Sequence, residues 1–258
     1  MDYNYHTHTY RCGHAKGTPE EYIVRAINGG IKHMGFSDHA SYIFPDGYEG
    51  GFRVPRAQTE EYVRDIRALR EKYKDKIDIM IGFEMEYYPS HFEEMLKTAL
   101  DAGGEYLILG QHFIGEEHPF GKYIFRATSE EKDMVEYASL VCTAVRSGYF
   151  SYVAHPDIIN FTGDAKVYER EFRRICEASI ECSVPLEINF LGIRTSRHYP
   201  CKEACRVIGE TGAPVTFGFD AHDPDAAADL TSQKKAMALV KEYRLNYIGR
   251  PEIKRIGK

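Results

Sequence analysis

The sequence predicts an α/β fold in which parallel strands close into a barrel, and three observations predict it. Seven short β-like runs alternate with helix-like patterns along all 258 residues, which implies parallel strands joined by right-handed helical crossovers. No low-complexity tract or Pro/Gly-rich linker interrupts them, so residues 1–258 read as one domain. Residues with chemical capacity fall at the C-terminal ends of nearly every strand-like run, where barrel enzymes assemble their sites. An open doubly wound sheet, the second choice, would gather them near one switch point.

The first run, Tyr3 to His8, ends in His6-Thr7-His8. Strand side chains alternate faces, so these two imidazoles point the same way and can reach one ion. A helical pattern, Pro19 to Asn28, follows; Thr18 caps it, Pro19-Glu20-Glu21 forms an acidic first turn, and Gly29-Gly30 closes it. Next come a strand, Met34 to Ser37, which leads into Asp38-His39, and a helix, Arg56 to Tyr73. The third strand, Ile77 to Glu84, carries Glu84 at its end and precedes a helix, Ser90 to Asp101, stopped by Gly103-Gly104. The fourth, Tyr106 to Gln111, leads to His112 and then a helix, Ser129 to Ser147. The fifth, Tyr152 to His155, opens His155-Pro156-Asp157 and precedes a helix, Val167 to Glu181. Leu186 to Asn189 is the sixth strand, followed by a helix from Pro200 to Glu210 that Gly212 ends. The seventh, Val215 to Phe219, runs into Asp220-Ala221-His222, and a last helix covers Ser232 to Tyr243.

Composition removes several function classes. Net charge is 33 − 39 = −6 without blocks of like sign, which argues against the basic stripe of a nucleic-acid-binding surface. No run approaches the ~20 apolar residues of a membrane helix, and the N-terminus lacks a signal peptide's basic and apolar regions, so a cytoplasmic protein is expected. Six cysteines without a CxxC pair make a disulfide framework improbable. Cys201 and Cys205 lie one helical turn apart, but free cysteine is usually a small buried hydrophobe. No G-x-G-x-x-G or G-x-x-x-x-G-K-[ST] supports a nucleotide fold.

A lone histidine is ordinarily a surface or hydrogen-bonded core residue, and one HxH pair among 11 histidines is weak. The joint placement is not. His6, His8, His14, His39, His112, His155 and His222, with Glu84 and Asp220, occupy equivalent positions around strand ends, whereas His33, His91, His118 and His198 do not fit the pattern. Nine donors exceed what one ion takes, so two or three divalent ions (Zn, Mn or Fe) sharing a carboxylate are expected.

The ordered motifs H-x-H, H, D-H, E, H, H-P-D and D-x-H resemble those of the polymerase and histidinol phosphatase (PHP) family of metal-dependent phosphoesterases, most closely its histidinol-phosphate phosphatase branch. The resemblance implies a distorted seven-stranded TIM-like (β/α)7 barrel with a trinuclear site. One ion would sit on His6, His8, Glu84 and Asp220, a second on Glu84, His112 and His155, and a third on His14, His39 and His222. It also implies a substrate loop in Leu186-Glu187-Ile188-Asn189, Gly192-Ile193-Arg194 and Tyr199-Pro200. Some relatives carry a phosphate-binding Arg after H-x-D, where this chain has Ile158-Ile159-Asn160-Phe161; phosphate binding is therefore assigned to the metals, Arg194 and Arg197.

With three divalent ions, two carboxylates and neutral imidazoles, such a site keeps a charge of about +4 and favours an anion. The expected chemistry is hydrolysis of L-histidinol phosphate, a step of histidine biosynthesis, by attack of a metal-bridging hydroxide, with Glu84, Asp220 and His39 as catalytic groups. His39, Asp38 and His198 are candidate proton donors to the leaving alkoxide. Glu86, Glu116 and Asp157 are candidates to meet the substrate's amine and imidazole or to orient ligand histidines. A phosphodiesterase or exonuclease acting on another small phosphate ester or a nucleotide is the alternative within the same chemistry. A structural metal module fits poorly, since closed structural sites draw ligands from one or two short segments.

Overall fold

The computed structural model describes residues 1–257. Its centre is a curled parallel sheet, a half-barrel of eight strands rather than seven. In spatial order these are β1 (Tyr3–Asn4), β2 (His33–His39), β3 (Asp78–Met85), β4 (Tyr106–Leu109), β7 (Phe150–Val153), β8 (Leu186–Asn189), β9 (Pro214–Gly218) and β10 (Asn246–Tyr247). Every pairing within it is parallel. A separate antiparallel pair, β5 (Phe113–Ile114) and β6 (Lys122–Tyr123), follows β4. The helices are α1 (Pro19–Asn28), α2 (Thr59–Tyr73), α3 (Phe92–Ala102), α4 (Glu131–Arg146), α5 (Ala165–Cys182), α6 (Phe190–Thr195), α7 (Lys202–Thr211) and α8 (Leu230–Tyr243).

The extra strand, β10, is two residues long, too short for an alternating pattern to reveal it. The first strand is shorter than its apolar run: the Asn4 side chain accepts the His6 N–H, and the backbone leaves the ladder after Asn4. It returns at Thr7, which forms a parallel bridge with Ala221 beyond β9. The two flanks of the sheet meet there, at the mouth where the strands end. No helix among the described residues is long and apolar enough to cross a membrane.

Local chemistry explains the crossovers. The Thr18 hydroxyl accepts the Glu21 N–H while the Glu21 carboxylate accepts the Thr18 N–H, a reciprocal cap for α1, whose Tyr22, Ile23 and Ala26 are buried. Asn189 caps α6 by accepting the Gly192 N–H at 3.0 Å, which turns the chain over the mouth of the sheet. The main apolar core lies between sheet and helices.

Inside the curl, period-two alternation produces tiers. Tyr3, Tyr5, Met80, Tyr106, Ile108 and Tyr152 form a compact lower tier. Tyr106 donates to the Tyr5 carbonyl at 2.9 Å and fills the space beside Gly35 and Gly82, where a Cβ would overlap its ring. Above this tier, a Cβ on Gly110 would overlap the Glu84 carboxylate, and one on Gly218 would overlap Glu187. Strand glycines thus make room for a layer of buried acids at the mouth.

Candidate metal centre

Strand ends bring all nine expected donors together. His6 and His8 follow β1, His14 follows the 3-10 turn Tyr10–Cys12, His39 ends β2, and Glu84 lies in β3. His112 follows β4, His155 follows β7, and Asp220 and His222 follow β9. Their ligand atoms form close-set triads, each within 4.8 Å: His6–His8–Glu84, His6–His155–Asp220, His39–Glu84–His112 and His14–His39–His222. Glu84 is central, 2.8 Å from His155 Nε2 and 3.3 Å from both His8 Nε2 and His39 Nδ1. Cys12, which the sequence does not single out, joins a further triad with His8 and His222.

Carboxylates and carbonyls fix which nitrogen each ring offers. Glu187 accepts from His6 Nδ1 at 2.7 Å, Glu86 from His112 Nδ1 at 2.8 Å, and Asp38 from His8 Nδ1 at 3.4 Å. Backbone carbonyls of Cys12 and Asp220 accept from His14 Nδ1 and His222 Nδ1 at 2.8 and 3.3 Å. Those partners favour a proton on Nδ1 and leave Nε2 facing inward, the arrangement that suits metal-ligating histidines. Two such nitrogens, on His14 and His222, face each other at 3.0 Å, where only a proton or a cation relieves the lone-pair repulsion. His8 Nε2 and His39 Nδ1 are buried without a hydrogen bond. The donor set therefore fits divalent ions, and mixed imidazole and carboxylate donors suit Zn, Mn or Fe.

Electrostatics split the histidines into two groups. Burial would depress His6, but Glu187, Asp220 and Glu84 outweigh it and lift it to about 10. Burial and the neighbouring His8 push His222 down to about 4, and burial drives His39 well below its ordinary value despite Glu84. Burial would raise Glu84 and Asp220, yet the surrounding imidazoles hold both well below the ordinary carboxylate range. Both acids are therefore anionic at neutral pH. His155 (φ 31°) and Asp220 (φ 46°) hold left-handed backbone conformations, which cost non-glycine residues energy and concentrate at functional sites.

Above the cluster is a cavity of about 660 Å³ lined by seven of the donors, His14, His39, Glu84, His112, His155, Asp220 and His222, together with Phe52, Phe113, Tyr123, Phe125, Tyr199 and Arg197. The two arginines expected at the phosphate separate here. Arg197 lines the cavity, over the Phe125 ring at 5.1 Å and donating to Tyr199 OH at 3.0 Å. Arg194 is not among the lining residues; it donates to the carbonyls of Phe219 and Asp220 at 2.6 and 2.5 Å and so supports the Asp220 turn. Both terminal nitrogens of its guanidinium thus engage backbone carbonyls.

Other expected residues are also engaged. Asp157 accepts the Cys201 N–H at 2.6 Å and is pushed up to about 6 by burial, against the pull of that hydrogen bond. Glu116 pairs with His91, His118 with Asp46, and His198 with the Ile158 carbonyl. Asn160 donates to the Phe125 carbonyl at 3.2 Å. Sequence reasoning missed Arg53, which is fully buried and donates to Glu86 at 2.7 Å and to Glu117 at 2.9 and 2.7 Å. Glu86 in turn orients His112, so Arg53 braces a candidate ligand from behind.

The chain is similar in sequence and fold to known proteins. The PHP domain family pattern matches residues 4–190. The chain is 29% identical over 225 residues to a protein of Deinococcus radiodurans named probable histidinol-phosphatase, covering 85% of each. It is 27% identical over 253 residues to a histidinol-phosphatase of Lactococcus lactis, covering 93% of this chain and 90% of that one. Among solved structures, the histidinol phosphate phosphatase of Lactococcus lactis, complexed with zinc, L-histidinol and phosphate, has a similar fold, with a TM-score of 0.72 at 23% identity over 98% of each chain.

Proposed function

This chain belongs to the PHP domain family, and from that premise we propose that it is a metal-dependent phosphomonoesterase that hydrolyses L-histidinol phosphate to L-histidinol and phosphate, a step of histidine biosynthesis. One observation carries the reading: nine candidate metal donors converge at a cavity that Arg197 also lines, an arginine without a carboxylate partner among the described residues. The names of the Deinococcus and Lactococcus relatives support the substrate.

His6, His8, Glu84 and Asp220 would hold one ion, Glu84, His112 and His155 a second, and His14, His39 and His222 a third. Such ions supply positive charge against the phosphoryl oxygens and acidify water for attack at neutral pH. The chain itself does the positioning. Arg197 gives the phosphate a planar pair of N–H donors, and its bond to Tyr199 OH aims it. Glu187, Asp38 and Glu86 hold three imidazoles in the inward-facing tautomer. Burial keeps His39 neutral, which favours ligation over proton donation.

The test is phosphate release from histidinol phosphate, a panel of cellular phosphomonoesters and short oligonucleotides, with Zn, Mn or Fe supplied in turn. Histidinol phosphate is expected to give the highest kcat/KM. Inactivity toward it, with efficient cleavage of another ester by the same metal-loaded protein, overturns the substrate; cleavage of oligonucleotides instead supports the phosphodiesterase alternative.

A further inference from the structure

The cavity wall facing the donors is a continuous arc of rings. His39 meets Phe52 at 5.4 Å between centroids, Phe52 meets Phe113 at 5.9 Å, Phe113 meets Tyr123 at 5.4 Å and Tyr123 stacks on Phe125 at 5.2 Å. Phe125 then meets Tyr199 at 5.9 Å, and Tyr199 meets His155 at 5.9 Å. The arc thus leaves the candidate metal centre at one imidazole and returns to it at another. Its middle is built by the small hairpin, in which Phe113 of β5 and Tyr123 of β6 are directly opposed cross-strand partners.

The charges on this wall are as informative as the rings. Among the described residues that line the cavity, the carboxylates are Glu84 and Asp220, both on the metal side. The nearby acids are committed elsewhere: Glu86 and Glu117 to Arg53, Asp157 to the Cys201 N–H, and Glu116 to His91. A substrate ammonium on the leaving-group side would find ring faces and no dedicated carboxylate. A flat ring there would find stacking partners, worth about 0.5–1.5 kcal/mol per aromatic pair beyond the area buried.

We propose that Phe52, Phe113, Tyr123 and Phe125 determine leaving-group specificity by reading a planar ring, and that the α-amine of the substrate is not read by charge. The inference rests on the phosphomonoesterase reading and deepens it. A site that hydrogen-bonds a polar substrate group rejects the analogue lacking it by about 10⁴–10⁵-fold, whereas a wall that reads only the ring ignores the loss of an amine.

The experiment uses the metal-loaded full-length enzyme and four esters: histidinol phosphate, its amine-free analogue 3-(imidazol-4-yl)propyl phosphate, the ring-free analogue 2-aminopropyl phosphate, and 2-phenylethyl phosphate. Deleting the amine is expected to change kcat/KM by less than about fivefold, and deleting the ring to lower it by about a hundredfold or more, mainly through KM. Tyr123→Ala, at a partly exposed position, is expected to shrink the ratio between ring-bearing and ring-free esters by about tenfold. Activity on 2-phenylethyl phosphate without activity on histidinol phosphate supports the arc and removes histidinol phosphate as substrate. A loss of a hundredfold or more on deleting the amine overturns the proposal while leaving histidinol phosphate in place, as does equal turnover of the ring-free ester.

Discussion

At the residue scale, the candidate centre depends on charges that neutralise one another on largely buried side chains beneath the cavity. Glu84 lies within 3.5 Å of five imidazoles, so it cannot be replaced without changing every proposed ion site it touches. Glu84→Gln keeps the shape and removes the charge; it is expected to lower kcat/KM by about 10²–10³-fold or more while far-UV circular dichroism stays native. Arg53 is the complementary case, a buried cation between two acids. Arg53→Ala leaves Glu86 and Glu117 without their shared partner and is expected to cost about 3–5 kcal/mol in denaturant unfolding. An unchanged midpoint would show that the two acids find protons or other donors. The nine donors were legible in the sequence because all but His14, which lies in the first loop, stand at or just beyond a recognisable strand-like run. Arg53 was not, since Gly50-Gly51-Phe52-Arg53 has no periodicity and its burial depends on Glu86 and Glu117, 33 and 64 residues further along.

At the element scale, the hairpin of β5 and β6 is anchored to α4 through side chains. Lys122 of β6 pairs with Asp133 in the first turn of α4, and the Thr128 hydroxyl donates to the same carboxylate. Burial would raise Asp133, but Lys122 and Thr128 outweigh it and hold it below its ordinary value of 3.8. A carboxyl depressed by folding adds stability above its unfolded value and loses it as pH falls through the folded one. Asp133→Asn is therefore expected to lower Tm at pH 7, with the difference from wild type shrinking below pH 3.8; a difference that persists undiminished in acid would mean the effect is one of packing. Neither β5 nor β6 was visible beforehand. Two-residue strands carry no alternation, and no sequence pattern marks Phe113 and Tyr123 as the cross-strand partners that the register makes them. Helix α6 escaped for a similar reason: six residues are too few for a helical period, and its cap, Asn189, is also the last residue of β8.

At the scale of the whole molecule, seven strands and seven helices follow the sequence pattern, and the eighth strand and the incomplete closure do not. What joins the two flanks of the sheet at the mouth is short: the Thr7–Ala221 bridge, with His8 N–H donating to the Ala221 carbonyl and Ala221 N–H to the His6 carbonyl at 3.0 and 3.1 Å. Donors from both flanks, His6 and His8 with Asp220 and His222, lie directly beside it. Ligands that bind only the native state stabilise it, by about 4 kcal/mol at a thousandfold excess over Kd. Treatment with a chelator is accordingly expected to lower Tm by on the order of 10 °C and to abolish phosphate release, with both restored by added divalent metal. Unchanged Tm in the chelated protein would mean that the protein ladder alone holds the mouth.

The hairpin gives the molecule a division of labour with an evolutionary consequence. The proposed chemistry is held by the ends of the long sheet, whereas two of the four wall rings, Phe113 and Tyr123, belong to a peripheral strand pair that makes no ladder with that sheet. Substitutions of Phe113 and Tyr123 can change which phosphate esters fit while leaving every candidate metal donor in the sequence unchanged. The same segment is the natural place for a laboratory graft that retools the enzyme's diet.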